Sequence, residues 1–192
     1  MPLRHLQGPF LGAAVQSVLE QSCPDWQLLL LDQDGSDVPG RWLSDERIRY
    51  ARNPGSSVCT ALNEGMRLAS SDFVCSLHDD DRLAPQAVAT VLEALHRYPE
   101  ADYFHSSNRW IDEHDQFLSL PRKPVAEVRP QDFVEHGVVK HLHCWRVSAA
   151  RSIGGFDESL GPHGADDYDF PWCMAEAGFR FQAIEECLYY YR

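Results

Sequence analysis

Short apolar runs alternate with segments of helical periodicity in the first half of the chain. Nearly continuous apolar runs are typical of strands that are covered on both faces, and they predict strands at Trp26–Leu31, Ile48–Ala51 and Phe73–Leu77. Apolar residues at helical spacing predict helices over Leu11–Leu19, from a cap at Ser56 or Ser57 through Ala69, and over Pro85–Tyr98. Strands and helices that alternate in this way predict parallel strands joined by right-handed crossovers, and therefore an α/β fold.

The pattern changes after Pro99. Two strand-like segments, Tyr103–Ile111 and Gln116–Leu120, flank a polar turn and predict a small antiparallel hairpin. The remaining expected elements are a strand at Leu142–Val147, a helix at Asp167–Ala177 and a closing strand at Phe179–Tyr191. No repeat, low-complexity tract or linker interrupts the chain, so its 192 residues predict a single domain.

Composition narrows the classes of function. The net charge of -12 argues against a nucleic-acid partner and against adhesion to anionic lipid through a basic patch. Six cysteines occur without a Cys-x-x-Cys pair, and several lie in apolar runs, which indicates buried thiols in a reducing compartment. The sequence has no signal-peptide pattern and no apolar run long enough to span a bilayer, so we expect a cytoplasmic protein with no membrane span.

Three successive aspartates follow the Phe73 strand at its carboxyl end. Asp79, Asp80 and Asp81 lie where strands of an α/β sheet meet their ligands, and their charges repel one another strongly. A hard divalent cation, Mn2+ or Mg2+, would relieve that repulsion and keep open positions for the oxygens of a diphosphate. The alternative is an acidic turn that only caps the following helix, because Asp is favoured at such starts.

Several motifs, taken in chain order, resemble those of family 2 glycosyltransferases with the Rossmann-like GT-A fold. They are Gln33-Asp34-Gly35-Ser36, Asn63-Glu64-Gly65, the aspartate cluster within His78–Asp81, Gly154-Gly155-Phe156-Asp157-Glu158, Asp166-Asp167-Tyr168-Asp169 and Leu188-Tyr189-Tyr190-Tyr191-Arg192. Together they cover almost the whole chain. The resemblance implies a mixed, mainly parallel sheet flanked by helices, with residues 1–98 binding the nucleotide-sugar and residues 99–192 binding the acceptor.

On the donor side, the resemblance implies roles for five residues. Asp34 would accept a hydrogen bond from the nucleotide base, although it could equally be a turn aspartate that bonds its own backbone. Pro2 matches a loop that contacts the nucleotide, and Asp79 would approach the ribose and the diphosphate. Asp80 and Asp81 would bind the metal of the family's Asp-x-Asp motif, and Asp81 would also support its two neighbours.

On the acceptor side, the resemblance makes Asp167 the general base, and the alternative is a helix N-cap. His141 and His143 could line the acceptor pocket, but packed or surface histidines are the commoner case. The implied reaction is an inverting transfer of a sugar from a UDP- or dTDP-sugar to a hydroxyl. The acceptor would be a glycan or a lipid-linked acceptor in cell-surface polysaccharide synthesis.

Two departures from the family pattern leave alternatives open. His78 stands where the first aspartate of the motif is often found, and imidazole suits Mg2+ poorly. The strand that precedes the Pro2 loop in relatives has no counterpart, unless residues 1–10 fill its place or the sheet closes differently. These departures favour the alternative of a catalytically impaired GT-A-like binding domain, while a metal-dependent phosphohydrolase is a third candidate. An exposed sheet edge would also favour a homodimer.

Overall fold

The structure is a computed structural model, and it describes residues 1–3, 8–33, 40–53, 55, 57–134, 137–163 and 166–192. The strands are β1 Pro2–Leu3, β2 Leu28–Asp32, β3 Ile48–Arg52, β4 Phe73–Cys75, β5 Arg82–Leu83, β6 Tyr103–Trp110, β7 His143–Arg146 and β8 Phe181–Tyr191. The α-helices are α1 Leu11–Leu19, α2 Gly40–Leu43, α3 Val58–Leu68, α4 Ala87–Arg97, α5 Val147–Ser152 and α6 Asp166–Glu176. Two 3-10 helices lie at Pro130–Val134 and Glu158–His163.

These strands form two sheets. The first has the order β1-β2-β3, and both of its strand pairs are parallel. The second has the order β4-β7-β6-β8-β5, in which only β6 and β8 are parallel. The prediction of an α/β fold with mixed strand directions is confirmed, and the parallel crossovers are confined to the first sheet and the β6–β8 pair.

Residues 1–3 lie beside β2. Pro2 and Leu3 pair in parallel with Leu31 and Asp32, and the Leu31 N–H donates to the Met1 carbonyl at 2.9 Å. Pro2, which the sequence predicted to lie in a loop, therefore lies with Leu3 in a short strand at the edge of the first sheet. Pro2 itself is buried in that strand.

The expected second arm of the hairpin, Gln116–Leu120, is not a regular strand. It contributes one isolated bridge, Phe117 with Ile111, and Arg122, just beyond the segment, forms a second bridge with Asn108. The physical reason is that β6 already pairs with β8 along its length and with β7 at its start, so only its last residues have a free edge.

The core consists of two apolar clusters on opposite faces of β6. Tyr103 packs with Trp145 and Phe170, whereas the next residue, Phe104, packs with Leu3 and the helices α1 and α4. Successive residues of a strand point to opposite faces, so one strand anchors both clusters. The acidic turn after β4 lies at the edge of this framework.

Candidate active site

The three aspartates lie in the turn between β4 and β5. Because β4 runs antiparallel to β7, and β7 antiparallel to β6, the carboxyl ends of β4, β6 and β8 meet at one edge of the sheet. That edge is where α/β proteins bind ligands. Asp80 is exposed and Asp79 is half-buried, whereas Asp81 is only 2% exposed.

Asp81 is held by the end of the last strand. One carboxylate oxygen accepts a hydrogen bond from the Tyr189 hydroxyl at 2.6 Å, and the other accepts from the Arg192 N–H at 2.7 Å. Burial raises the pKa of Asp81 to about 7, against the lowering effect of these hydrogen bonds. Asp79 and Asp80 are therefore the more accessible carboxylates of the three.

Asp79 lies near the start of the chain. Burial lowers the pKa of the Met1 ammonium to about 5, and the Asp79 carboxylate acts in the opposite direction, which requires the two groups to be close. The strand that contains Pro2 therefore lies beside the acidic turn, as the predicted donor site requires.

Helix α6 brings a second pair of carboxylates to the same place. The His78 Nε2 atom lies 3.9 Å from an Asp166 carboxylate oxygen, which joins the acidic turn to the first turn of α6. Asp167 follows and is exposed. Because α6 begins at Asp166, Asp167 lies inside the first turn, where the helix dipole favours a charged carboxylate, and not at the N-cap.

Two buried histidines, His141 and His143, pack behind His78 on the interior side of the acidic turn. The His141 ring lies 5.6 Å from that of His78 and 4.3 Å from that of His143. Burial lowers the pKa of His141 to about 3, while Asp167 acts to raise it, so His141 is uncharged at neutral pH. His143 Nδ1 is hydrogen-bonded to the Tyr103 hydroxyl at 2.8 Å. Both histidines are packed side chains, with exposures of 7% and 3%.

Asp34 lies outside the described residues. The segment just before it is anchored, because the Gln33 side chain donates to the Ser57 carbonyl at 2.8 Å. The preceding Asp32 is buried and accepts a hydrogen bond from the Tyr50 hydroxyl at 2.7 Å.

The sequence interpretation missed the contribution of the closing strand. Arg192 donates from Nε to the Asp80 carbonyl at 2.8 Å and pairs with Asp115 at 2.5 Å, and Asp115 also pairs with Arg82 at 2.7 Å. The signal that the sequence offered was the run of three tyrosines at the end of the last strand. Nothing in that run says which hydroxyl reaches the acidic turn.

The acidic turn fits a divalent cation that is shared with a substrate. Within the described part of the chain, no group of three His, Cys, Asp or Glu side chains is arranged to hold a metal ion. Mg2+ and similar ions are commonly held by one or two carboxylates together with substrate phosphates, so Asp79 and Asp80 would suffice when a diphosphate is bound.

An α/β framework with carboxylates at its strand ends and a second pair on a facing helix is typical of GT-A glycosyltransferases. The sequence profile described as Glycosyl transferase family 2 matches residues 5–145, and the chain belongs to that family. None of the helices in the described ranges combines the length and apolarity that crossing a membrane needs.

Two similar proteins are named for O-antigen biosynthesis and for chondroitin synthesis. The O-antigen biosynthesis protein RfbC of Myxococcus xanthus is 29% identical over 202 residues, which cover 100% of this chain and 15% of RfbC. The chondroitin synthase of Escherichia coli is 24% identical over 185 residues, covering 94% of this chain and 26% of that protein. The chain therefore spans less than a third of either relative.

Solved structures show the same fold. S. aureus TarS superimposes with a TM-score of 0.78 at 13% sequence identity, covering 99% of this chain and 35% of TarS. TarS 1-349 in complex with UDP-GlcNAc gives a TM-score of 0.75 at 12% identity, covering 98% of this chain and 56% of that structure. The expected GT-A fold is confirmed.

Proposed function

We propose that this chain is the catalytic domain of a glycosyltransferase that moves a sugar from a nucleoside-diphosphate donor to a hydroxyl of a growing surface polysaccharide. The transfer inverts the anomeric carbon and depends on Mn2+ or Mg2+. The acceptor is a glycan or a lipid-linked glycan. UDP-sugars are the first donors to test, because the fold neighbour TarS 1-349 was solved with UDP-GlcNAc.

One observation carries the proposal: the 3.9 Å approach of His78 Nε2 to the Asp166 carboxylate. His78 immediately precedes Asp79 and Asp80, and Asp166 immediately precedes Asp167. The segments that carry the proposed donor-side and acceptor-side carboxylates are far apart in the sequence but lie close together, which supports one crevice for both substrates. Holding both substrates in such a crevice contributes much of the rate acceleration of a two-substrate enzyme.

On the donor side, Asp79 and Asp80 would hold the cation together with the diphosphate. When bound, the cation neutralises the negative charge that develops on the leaving diphosphate. The carboxylates are accessible enough to share it with phosphate oxygens, because Asp80 is exposed and Asp79 only half-buried. Asp34 contacts the base and Pro2 supports the nucleotide in this proposal.

On the acceptor side, Asp167 removes the proton of the attacking hydroxyl. A general base must be accessible to the substrate and must be charged, and Asp167 is exposed in the first turn of α6, where the dipole stabilises its anion. Attack on the face opposite the leaving diphosphate gives inversion.

We also propose that the protein is cytoplasmic and that it forms a homodimer. Size-exclusion chromatography tests the homodimer.

The test is nucleotide release from a panel of UDP- and dTDP-sugars with Mn2+ and an oligosaccharide acceptor. We expect Asp167→Asn to lower kcat by about 10²–10⁴-fold, the usual contribution of a general base, with little change in nucleotide binding. Asp80→Ala is expected to weaken Mn2+–UDP binding in calorimetry and to lower turnover. Asp25→Ala, an exposed aspartate away from the crevice, is the control and should behave as the unaltered chain.

Three outcomes contradict the proposal. Unchanged turnover in both Asp80→Ala and Asp167→Asn removes this mechanism. Nucleotide binding without any transfer favours the impaired binding domain, whereas release of free phosphate without an acceptor favours a phosphohydrolase.

A further inference from the structure

One phenol spans the whole acidic turn. The Tyr189 hydroxyl accepts a hydrogen bond from the His78 backbone N–H at 3.2 Å and donates one to the Asp81 carboxylate at 2.6 Å. His78 and Asp81 are the residues on either side of Asp79 and Asp80. Tyr189 is completely buried, and burial raises the pKa of its hydroxyl well above the usual value, so the donated proton is always present.

Arg192 holds the same turn from the other side. Its backbone N–H donates to the second Asp81 oxygen at 2.7 Å, and its Nε donates to the Asp80 carbonyl at 2.8 Å. Its guanidinium is fixed in turn by Asp115 at 2.5 Å and by the Asp112 carbonyl. The turn is therefore held by two residues at the end of the chain's last strand, through the backbone of His78 and Asp80 and through the Asp81 carboxylate.

Holding the acidic turn in one conformation would assist binding if Asp79 and Asp80 share a cation. Two neighbouring carboxylates repel each other, and a turn that leaves a strand is free to open and separate them unless something holds it. A ligand that binds an already arranged pair of carboxylates does not have to overcome this repulsion or to order the turn. Groups that orient metal ligands without touching the metal typically change affinity or activity by 10–100-fold when they are removed.

We propose that Tyr189 is a positioning residue that presets Asp79 and Asp80 for the donor, and that Asp81 serves as its anchor. This inference rests on the proposed function for its effect on donor binding, but not for its effect on the turn. It assigns Asp81 a role different from the metal ligation expected from the sequence, because both of its oxygens already accept hydrogen bonds.

The test compares two neighbouring phenylalanine variants. Tyr189→Phe removes only the bridging hydroxyl. Tyr190→Phe removes a hydroxyl that has no hydrogen-bond partner in the described ranges, and the Tyr190 ring packs on Phe117. For Tyr189→Phe we expect Mn2+–UDP binding in calorimetry to weaken by roughly 10–100-fold, with KM for the donor raised and KM for the acceptor unchanged. Tyr190→Phe should bind as the unaltered chain.

Hydrogen exchange provides a readout that needs no ligand. The His78 and Arg192 amides are expected to exchange faster in Tyr189→Phe than in Tyr190→Phe, while amides of β2 and α1 keep their rates. Unchanged exchange at His78 in a folded Tyr189→Phe protein overturns the inference, whatever ligand the protein binds. If exchange is faster in Tyr189→Phe but the unaltered chain binds no nucleotide, the inference about the turn is supported and the proposed function is contradicted.

Asp81→Asn, and its double-mutant cycle with Tyr189→Phe, separate an anchor from a metal ligand, and Asp81→Asn measured alone remains informative if Tyr189→Phe is poorly folded. Asp81→Asn keeps the side-chain shape and an oxygen that can accept from Tyr189. If Asp81 is an anchor, Asp81→Asn lowers Mn2+–UDP affinity less than tenfold, and its effect is not multiplicative with that of Tyr189→Phe. A loss above 100-fold in Asp81→Asn alone, multiplicative with the tyrosine change, overturns the anchor role.

Discussion

Gly155 joins two motifs that lie far apart in the sequence. Its φ of +79° belongs to the left-handed region, and a Cβ there would lie 2.5 Å from the Asn63 side-chain oxygen. That oxygen accepts the Phe156 N–H at 2.9 Å, and the Asn63 amide donates to the Phe156 carbonyl at 2.9 Å. Asn63 thus acts as a backbone partner for the Gly-Gly-Phe turn, and this explains why a side chain is excluded at Gly155.

Gly154 offers a matched comparison for this position. Its φ is +92°, but a Cβ there would meet nothing within 4 Å. We expect Gly154→Ala to lower the free energy of unfolding by about 1–2 kcal/mol, the cost of the left-handed conformation alone. Gly155→Ala should cost more, about 2–4 kcal/mol, because the Asn63 contacts must also shift. Urea unfolding measures both, and equal losses would contradict the contact argument.

At the scale of elements, helix α3 begins with a reciprocal cap. The Thr60 N–H donates to the Ser57 hydroxyl at 3.2 Å, and the Ser57 N–H donates to the Thr60 hydroxyl at 3.3 Å. Threonine takes the place usually filled by Glu or Gln in this motif. The cap fixes the start of the helix that carries Asn63 and places Met66 in the core.

Removal of this cap has a measurable cost. We expect Ser57→Ala to lower the free energy of unfolding by about 1 kcal/mol, since an N-cap hydroxyl is typically worth 0.5–2 kcal/mol. Ser44→Ala is the control, because Ser44 is exposed and bonds only the Arg41 carbonyl, and its effect should stay within about 0.5 kcal/mol. Thermal unfolding followed by circular dichroism reports both, and a Ser57→Ala protein as stable as Ser44→Ala would contradict the assignment.

At the scale of the whole molecule, three histidines, His105, His141 and His143, are buried as neutral groups. Burial lowers the pKa of His105 to about 4 and that of His141 to about 3, and it lowers the pKa of His143 well below its usual value of 6.5. Below pH 6.5 the unfolded chain binds protons that the folded chain refuses. Asp81 acts in the opposite direction, because its pKa is raised from 3.8 to about 7 and its folded form keeps a proton that the unfolded chain loses.

The three histidines, joined above about pH 5 by the buried Met1 ammonium, therefore oppose Asp81 across the window from about pH 4 to 6.5. The free energy of unfolding should fall as the pH decreases through this window, by up to roughly 1.4 kcal/mol per pH unit for each histidine. His105→Leu removes one of these groups, and its ring nitrogens have no hydrogen-bond partner in the described part of the chain. We expect a shallower slope in urea titrations of His105→Leu at successive pH values. An identical slope would contradict the burial of a neutral His105.

Local sequence patterns predicted the helices well. The strands were predicted less well, because their pairing depends on residues that are far apart in the sequence. The bounds of α1 match Leu11–Leu19, because helical spacing is a local property of the sequence. The arm at Gln116–Leu120 failed as a strand because pairing depends on which edges of β6 are free, and neighbouring residues do not reveal that. Cys59 and Cys144 are buried as expected, but Cys75 is exposed because β4 lies at the edge of its sheet.

The candidate site was likewise only partly predictable from the sequence. Asp79, Asp80 and Asp167 were predicted from motifs, and the structure brings their segments together through His78 and Asp166. The separate role of Asp81 was not predictable, because it depends on Tyr189 and Arg192, which approach only after the second sheet has formed. Sequence position gave equal weight to three adjacent aspartates, whereas burial distinguishes them.

The attachment of the acidic turn to β8 also determines when the ligand site can mature during synthesis. All three aspartates of the turn leave the ribosome long before Tyr189 and Arg192 do. A nascent chain released before β8 is made would contain every carboxylate that is proposed to bind the donor. It would still lack Tyr189 and Arg192, which hold the acidic turn. Affinity for the donor should therefore arise only after β8 has been synthesised.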